Sequence, residues 1–292
     1  MLLPDMADIA VLRPSAAPAE LAQERAAGIP WYLWAGLLAA TCAVVGGHWD
    51  ISWHRSIGRD TFWTPAHIAI YLCGVIGGLT GGYVVLVSTF GHAAEREAAT
   101  VRIWGFRGSL GAFMNIWGGV AMLTSAPFDD WWHRAYGLDV KILSPPHVVL
   151  ILGLTTIELA ALIQVLAEMN RSSGRRRRVL EWMFLYGGAI MFIGTQTAIM
   201  EYSFRSNMHR SQFYRVSGSV AVLLLAGLAR ASTRRWAATT VTAIFSLFLI
   251  LLLLVLPLFP AEPKLGPVYQ QVKFFIPPEF PVLLVFPAMV LD

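Results

Sequence analysis

Two polar stretches with the same residue pattern interrupt an otherwise apolar chain. The first, DISWHRSIGRDTFWTPAH, covers residues 50–67, and the second, DDWWHRAYGLDVKILSPPH, covers residues 129–147. Each places an aspartate four residues before a histidine, follows it with Gly-x-Asp, and ends with a proline and a second histidine. Carboxylate and imidazole groups are the side chains that bind metal ions of intermediate softness.

The spacing predicts that each stretch gathers one carboxylate and two imidazoles. Asp50 and His54 are four residues apart and would share a face of a helix. Pro65 favours the start of a new helix, which would carry His67 in its first turn. The second stretch repeats this pattern, and its predicted ligands are Asp129, His133 and His147. Such a set suits copper, zinc or iron, although a histidine at a helix end is otherwise usually a solvated surface group.

Other polar residues are candidates for supporting roles. Asp60 and Asp139 recur at matching places in the two stretches, and together with Arg59 they would either orient the ligands or brace the loops. Glu158 falls near the middle of an apolar run, where an acid marks either a functional site or a helix contact. A transporter is a third interpretation of this acid and of the repeated stretches.

The composition indicates an integral membrane protein. Of 292 residues, 56% are hydrophobic and 14% are charged, whereas soluble domains carry about 25% charged residues. A helical crossing needs about 20 apolar residues, and the sequence predicts an all-α bundle with about seven spans, including one short run. They are residues 30–48, 66–90, 109–128, 146–169, 180–200, 216–230 and 236–259. An eighth run, from Phe280 to Asp292, is too short for a helical crossing.

The charge distribution predicts an orientation. The net charge is +4, and the arginines concentrate in the connections after the second, fourth and sixth spans. This argues against a nucleic-acid partner and predicts a cytoplasmic N-terminus in a cell inner membrane. Both polar stretches would then lie near the outer face, on two helix pairs that run in the same direction as a parallel internal repeat.

Four parts of the chain are predicted on this basis. Residues 1–29 form a cytoplasmic leader, residues 30–169 hold the four helices with the metal-site repeat, and residues 170–259 add three helices. Residues 260–292 form a proline-rich outer segment with a partial apolar run.

The first stretch resembles a signature of the C-type subunits of the copper membrane monooxygenases, the family of particulate methane monooxygenase and ammonia monooxygenase. That signature reads Asp-x3-His-x12-His with RDT-x-x-TP-x-H, and Asp50, His54 and His67 match it position by position. The family's second ligand set reads Asn-x3-His-x13-His; His133 and His147 match it, but Asp129 replaces the asparagine. The resemblance covers roughly residues 45–160.

The resemblance implies a function and partners. The first three residues would bind copper, and the second three would form or supplement a neighbouring site. The chain would act with A-type and B-type monooxygenase subunits in the lipid bilayer, hydroxylating a small apolar substrate, such as a short alkane or ammonia, with O2. The alternative is a metal-binding membrane protein without catalytic activity, which handles copper or stabilises a complex. Zinc and iron remain open as the metal.

Overall fold

The computed structural model describes residues 28–58, 60–91, 100–137, 143–199, 210–263, 272–278 and 283–292. Within these ranges the chain forms seven long helices, one short helix and one β-hairpin, which confirms the predicted all-α class. The elements are α1 (Trp31–Ser56), α2 (Pro65–Phe90), β1 (Val101–Ile103), β2 (Phe106–Gly108), α3 (Leu110–Tyr136), α4 (Pro145–Arg171), α5 (Gly174–Ala198), α6 (Ser211–Ala231), α7 (Ala237–Val255, extended by a 3-10 turn to Leu258) and α8 (Val285–Leu291).

Helices that follow one another in the chain pack side by side. α1 to α5 form successive neighbouring pairs, and α1 also contacts α4 and α5. α6 and α7 pack against α5, and α8 packs against α7. The largest apolar core joins α1 with α4 to α8, and a smaller core joins α1 to α4. The two polar stretches therefore belong to one four-helix unit.

Glycines allow the helices of this unit to approach closely. A Cβ atom on Gly46 would lie 2.8 Å from the backbone nitrogen of Ile70 and 3.1 Å from the carbonyl oxygen of Ala66. A Cβ atom on Gly119 would lie 2.9 Å from the Cα atom of Gly78. Cβ atoms essentially never come within 3.0 Å of a neighbouring backbone atom. Small residues at helix crossings are typical of membrane bundles, in which packing drives helix association.

Among the described residues, four helices are long and apolar enough to cross a membrane. By length and composition these are α2, α4, α6 and the region Ala237–Leu258. The chain is accordingly a helical protein with segments that are able to cross a membrane. That all seven long helices cross, and that two helix pairs form an internal repeat, stay predictions.

The segment after α7 contacts both ends of the bundle. At the C-terminal end of α1, Ser52 Oγ donates to the Ile276 carbonyl (2.7 Å), and the Ile276 amide donates to Ser56 Oγ (2.8 Å). At the opposite end, the Asp292 carboxylate accepts hydrogen bonds from the amides of Ala238 and Thr239, in the first turn of α7. The described helix in this last apolar run, α8, has only seven residues. Ile276 and Asp292 nevertheless lie at opposite ends of the bundle.

Candidate metal centre

Helix ends position the predicted ligands. Asp50 and His54 lie in the last two turns of α1, and α2 begins at Pro65 with His67 in its first turn. Asp129 and His133 occupy the corresponding part of α3, and α4 begins at Pro145 just before His147. The first residues of α2 and α4 are prolines because proline lacks an amide hydrogen and its fixed φ suits the first helical position.

The first group of side chains, cluster A, consists of Asp50, His54, Asp60 and His67. His67 Nε2 lies 2.6 Å from Asp60 Oδ2 and 3.2 Å from Asp50 Oδ1. His54 Nε2 lies 3.4 Å from Asp60 Oδ2 and 3.6 Å from Asp50 Oδ2. Asp50, Asp60 and His67 each present a ligand atom within 4.8 Å of the others. Donor atoms at bonds of about 2.1 Å stand about 3–4 Å apart around a metal, so Asp50, Asp60 and His67 need only small shifts to bind a metal ion.

Asp60 was predicted to support the ligands, but it lies among them and contacts both histidines of cluster A. Its carboxylate lies between both imidazoles of cluster A. Burial would raise the pKa of Asp60, but hydrogen bonds from His54 and His67 outweigh burial and hold this pKa well below its usual range. The Asp60 carboxylate is therefore ionised at neutral pH and available as a ligand.

The second group, cluster B, consists of Asp129, His133 and His147. His133 Nε2 lies 3.3 Å from Asp129 Oδ2, and His147 Nε2 lies 3.6 Å from Asp129 Oδ1. In both clusters the Nε2 atoms face the carboxylates. One carboxylate and two imidazoles are thus brought together here, as the spacing predicted.

Hydrogen bonds at Nδ1 hold the two imidazoles of cluster B. His133 Nδ1 lies 3.3 Å from the Gly137 carbonyl oxygen, and His147 Nδ1 lies 3.0 Å from Ser144 Oγ. A carbonyl only accepts, so His133 carries its proton on Nδ1 in this contact, which leaves the Nε2 lone pair for a ligand bond. Sequence reasoning missed Ser144 and the Gly137 carbonyl. The sequence feature that could have indicated Ser144 is its position three residues before His147, next to the predicted start of a helix.

Two carboxylate oxygens provide the test of whether a metal ion fits. Asp50 Oδ1 and Asp129 Oδ1 are buried and face imidazole Nε2 atoms at 3.2 Å and 3.6 Å, but these ion-pair contacts lack good hydrogen-bond geometry. Leaving a buried acceptor unsatisfied costs about 1–3 kcal/mol, and a cation between the carboxylate and the imidazoles would satisfy it. The donor set of oxygen and imidazole nitrogen suits copper(II), zinc or iron. Asp50, Asp60 and His67 of cluster A therefore fit a metal ion, whereas cluster B has suitable donor types but, among the described residues, its three ligand atoms do not all come within 4.8 Å of one another.

The two clusters lie at the same end of the bundle. The charges of Asp60 and His67, from cluster A, act on Asp129 of cluster B. Tyr71, one turn after His67, experiences the charges of Asp50 and Asp129. The hydroxyl of Tyr71 donates to the Phe62 carbonyl (3.1 Å), which ties the loop that carries Asp60 to α2. The clusters are thus electrostatically coupled across α2.

The remaining predicted residues have different outcomes. Arg59 and Asp139 lie outside the described residues, so their predicted roles stay predictions. Glu158 is buried on α4 and its carboxylate packs against Gly194 of α5. It follows His147 by eleven residues, or about 16 Å along the helix. The structure does not bring Glu158 to either cluster.

Comparison with known proteins does not assign a family. Protein-family models, curated proteins and solved structures all gave no match to this chain. The function is therefore inferred from the site itself and from the sequence motif.

Proposed function

We propose that the chain is the copper-binding, membrane-embedded subunit of a monooxygenase that hydroxylates a small apolar substrate with O2. The observation that supports this proposal best is the convergence of imidazole Nε2 atoms on aspartate carboxylates in clusters A and B. The motif around Asp50, His54 and His67, which resembles that of the C-type subunits of the copper membrane monooxygenases, selects copper among the metals that fit.

Each ligand has a distinct task in this proposal. In cluster A, two carboxylates offset the charge of a divalent cation, and His54 and His67 supply nitrogen donors. In cluster B, Asp129 provides the anion while hydrogen bonds from Nδ1 keep His133 and His147 oriented. A bound copper ion would supply the redox chemistry of O2 activation. The apolar surroundings would limit water access and admit a short alkane or ammonia.

The proposal includes a topology and partners. All seven long helices cross an inner membrane, and the arginine-rich connections face the cytoplasm. Both clusters then lie near the outer face on a repeated pair of helices. A-type and B-type subunits complete the enzyme, and the chain alone is not expected to turn over substrate.

A second candidate function is metal binding without catalysis, for copper handling or for stabilising a complex. The observation that favours it is the fourth donor, Asp60, in cluster A. Four protein donors close the coordination sphere of a tetrahedral ion, whereas catalytic sites keep a position open. Among the described residues, cluster B has three such donors, which would leave one coordination position open for a substrate or O2.

Metal analysis combined with an oxidation assay tests the proposal. The chain is purified in detergent after expression alone and after co-expression with candidate A-type and B-type subunits, and bound copper, zinc and iron are quantified. Membranes with all subunits are assayed for oxidation of propane or ammonia with O2 and a reductant. Copper together with turnover that His147→Ala abolishes supports the monooxygenase. Copper without turnover in the complete complex supports the second function, and absence of bound metal contradicts both.

A further inference from the structure

The β-hairpin between α2 and α3 folds back along the sides of these helices. It contacts α2 at Thr89, at the opposite end of this helix from cluster A and about 33 Å from His67 along the helix axis. Thr89 Oγ1 on α2 accepts from the Arg107 amide (2.8 Å), and its hydroxyl hydrogen is shared between the carbonyls of Val85 (2.7 Å) and Arg107 (3.1 Å). A Cβ atom on Gly108 would lie 2.8 Å from a methyl group of Val85. The hairpin is thus held against the bundle.

The hairpin tip reaches along the outside of α3. Trp104 contacts Trp117 edge-to-face, with ring centroids 5.4 Å apart. Trp117 is seven residues after the start of α3, which is about 10 Å along the helix axis. The tip therefore lies beside α3, within the length of this helix and not beyond its end.

The tip presents a large aromatic side chain to the surroundings. Trp104 is 80% exposed, and Trp117 beneath it is 48% exposed. Trp104 has φ +50° and Gly105 has φ +86°, as a two-residue turn with both φ angles positive requires. Asparagine, aspartate or glycine is normally found at such positions, and tryptophan there costs about 1–2 kcal/mol of backbone strain. A contact outside the described chain that uses the indole would offset this cost.

The two faces of the hairpin differ in charge. Ile103 packs with apolar residues of α2 and α3, whereas Arg102 and Arg107 are paired across the strands and project from the other face. Both arginines line a shallow depression of about 370 Å³ together with Thr100 and Val101. An indole near the acyl chains and arginines at the level of the phosphates is the arrangement of an interfacial anchor.

We infer that residues 101–108 form a membrane-inserted anchor whose partner is the lipid leaflet at the end of the bundle opposite the metal clusters. Trp104 inserts at the boundary between head groups and acyl chains. Arg102 and Arg107 bind the phosphate groups of anionic lipids at the depression. This anchor requires the proposed membrane-crossing helices and is independent of metal binding.

Depth-dependent quenching tests the anchor. Trp104→Cys, or Phe106→Cys if the first variant does not fold, is made in the full chain with Cys42→Ala and Cys73→Ala, labelled with a fluorescent NBD group and reconstituted in vesicles. The matched control is Ser173→Cys, in the exposed connection between α4 and α5 at the same end of the bundle. Quenching by nitroxide lipids and by aqueous iodide is compared at both positions.

The label at the tip should be quenched by nitroxide lipid and be about three-fold less accessible to iodide than the control label. Equal iodide access at both positions would place the hairpin in water and overturn the inference. Protection from both quenchers would indicate a protein cover and would also overturn it.

Lipid charge tests the arginines separately. Replacing neutral lipid by about half phosphatidylglycerol should increase nitroxide quenching at the tip. The double variant Arg102→Gln, Arg107→Gln in the same labelled chain should lose this response. Lack of any response to lipid charge in the parent chain would refute phosphate binding.

Discussion

Individual carboxylates determine how the two clusters differ. Cluster A holds an anion from the loop before α2, Asp60, in addition to Asp50 from α1. In cluster B, the described residues provide one carboxylate, Asp129, which faces both imidazoles. A cation with two carboxylate ligands carries less net charge and is bound more tightly than one with a single carboxylate. Cluster A is therefore expected to bind metal first.

Asp60→Asn should lower the metal affinity of cluster A at least about 10-fold, because it removes the negative charge of a ligand that lies next to both imidazoles. Isothermal titration with copper(II) on the purified chain measures the change. Asp130→Asn is the matched control, since Asp130 is half exposed and pairs with Arg134 (2.8 Å) outside the clusters. Equal affinities in the two variants would mean that Asp60 is not a ligand.

Ser144→Ala should weaken metal binding at cluster B by about 10-fold, because the hydroxyl at His147 Nδ1 orients that imidazole. Thr64→Ala is the control, since Thr64 precedes α2 as Ser144 precedes α4 but contacts Thr61 instead of the histidine. The measurement is a copper(II) titration in a chain that already carries His54→Ala and His67→Ala. An unchanged affinity in Ser144→Ala would show that the hydroxyl does not position His147.

At the scale of elements, helix ends and close helix crossings make the site. The i, i+4 spacing and the proline starts were sufficient to predict that Asp50, His54 and His67 meet, because these features depend only on local backbone geometry. The direct position of Asp60 was not predictable, since it depends on the path of residues 57–64 between two helices. The hairpin was also missed, because strands of three residues with a Trp-Gly turn lack a readable alternation.

Gly46→Ala should destabilise the bundle by about 1–3 kcal/mol, because the added methyl group meets the α2 backbone one turn before Asp50. Gly47→Ala is the neighbouring control, with no atom within 4 Å of the added Cβ. It should be neutral or stabilise by about 0.5–1 kcal/mol. Thermal unfolding in detergent and copper affinity measure both variants. Equal melting temperatures would contradict the tight crossing between α1 and α2.

At the scale of the whole molecule, the chain separates the candidate metal centre from the aromatic hairpin. Clusters A and B lie at one end of α2, and the hairpin lies at the other. Composition was sufficient to predict an all-α chain with helices able to cross a membrane, because apolar length is the main requirement for crossing a bilayer. The course of residues 272–278 and 283–292 was not predictable, since their proline-rich sequence lacks a helical period and their position is set by contacts with α1 and α7.

The two ends should be accessible from opposite sides of the membrane. Glu262→Cys lies beyond α7, at the end of the bundle with the clusters, and Ser173→Cys lies at the other end; both are exposed. Each is made without Cys42 and Cys73 and treated with a membrane-impermeant maleimide. Glu262→Cys should react in intact cells or spheroplasts, and Ser173→Cys only after permeabilisation. Equal labelling of both would contradict the proposed topology.

Metal binding by the imidazoles of these clusters is the central claim, and electron paramagnetic resonance of the copper(II)-loaded full chain tests it most directly. We predict nitrogen hyperfine coupling from two imidazoles in the first site to fill, and loss of that signal when His54, His67, His133 and His147 are all replaced by alanine. A wild-type spectrum without imidazole coupling, or one that the quadruple variant leaves unchanged, would contradict metal binding at these histidines.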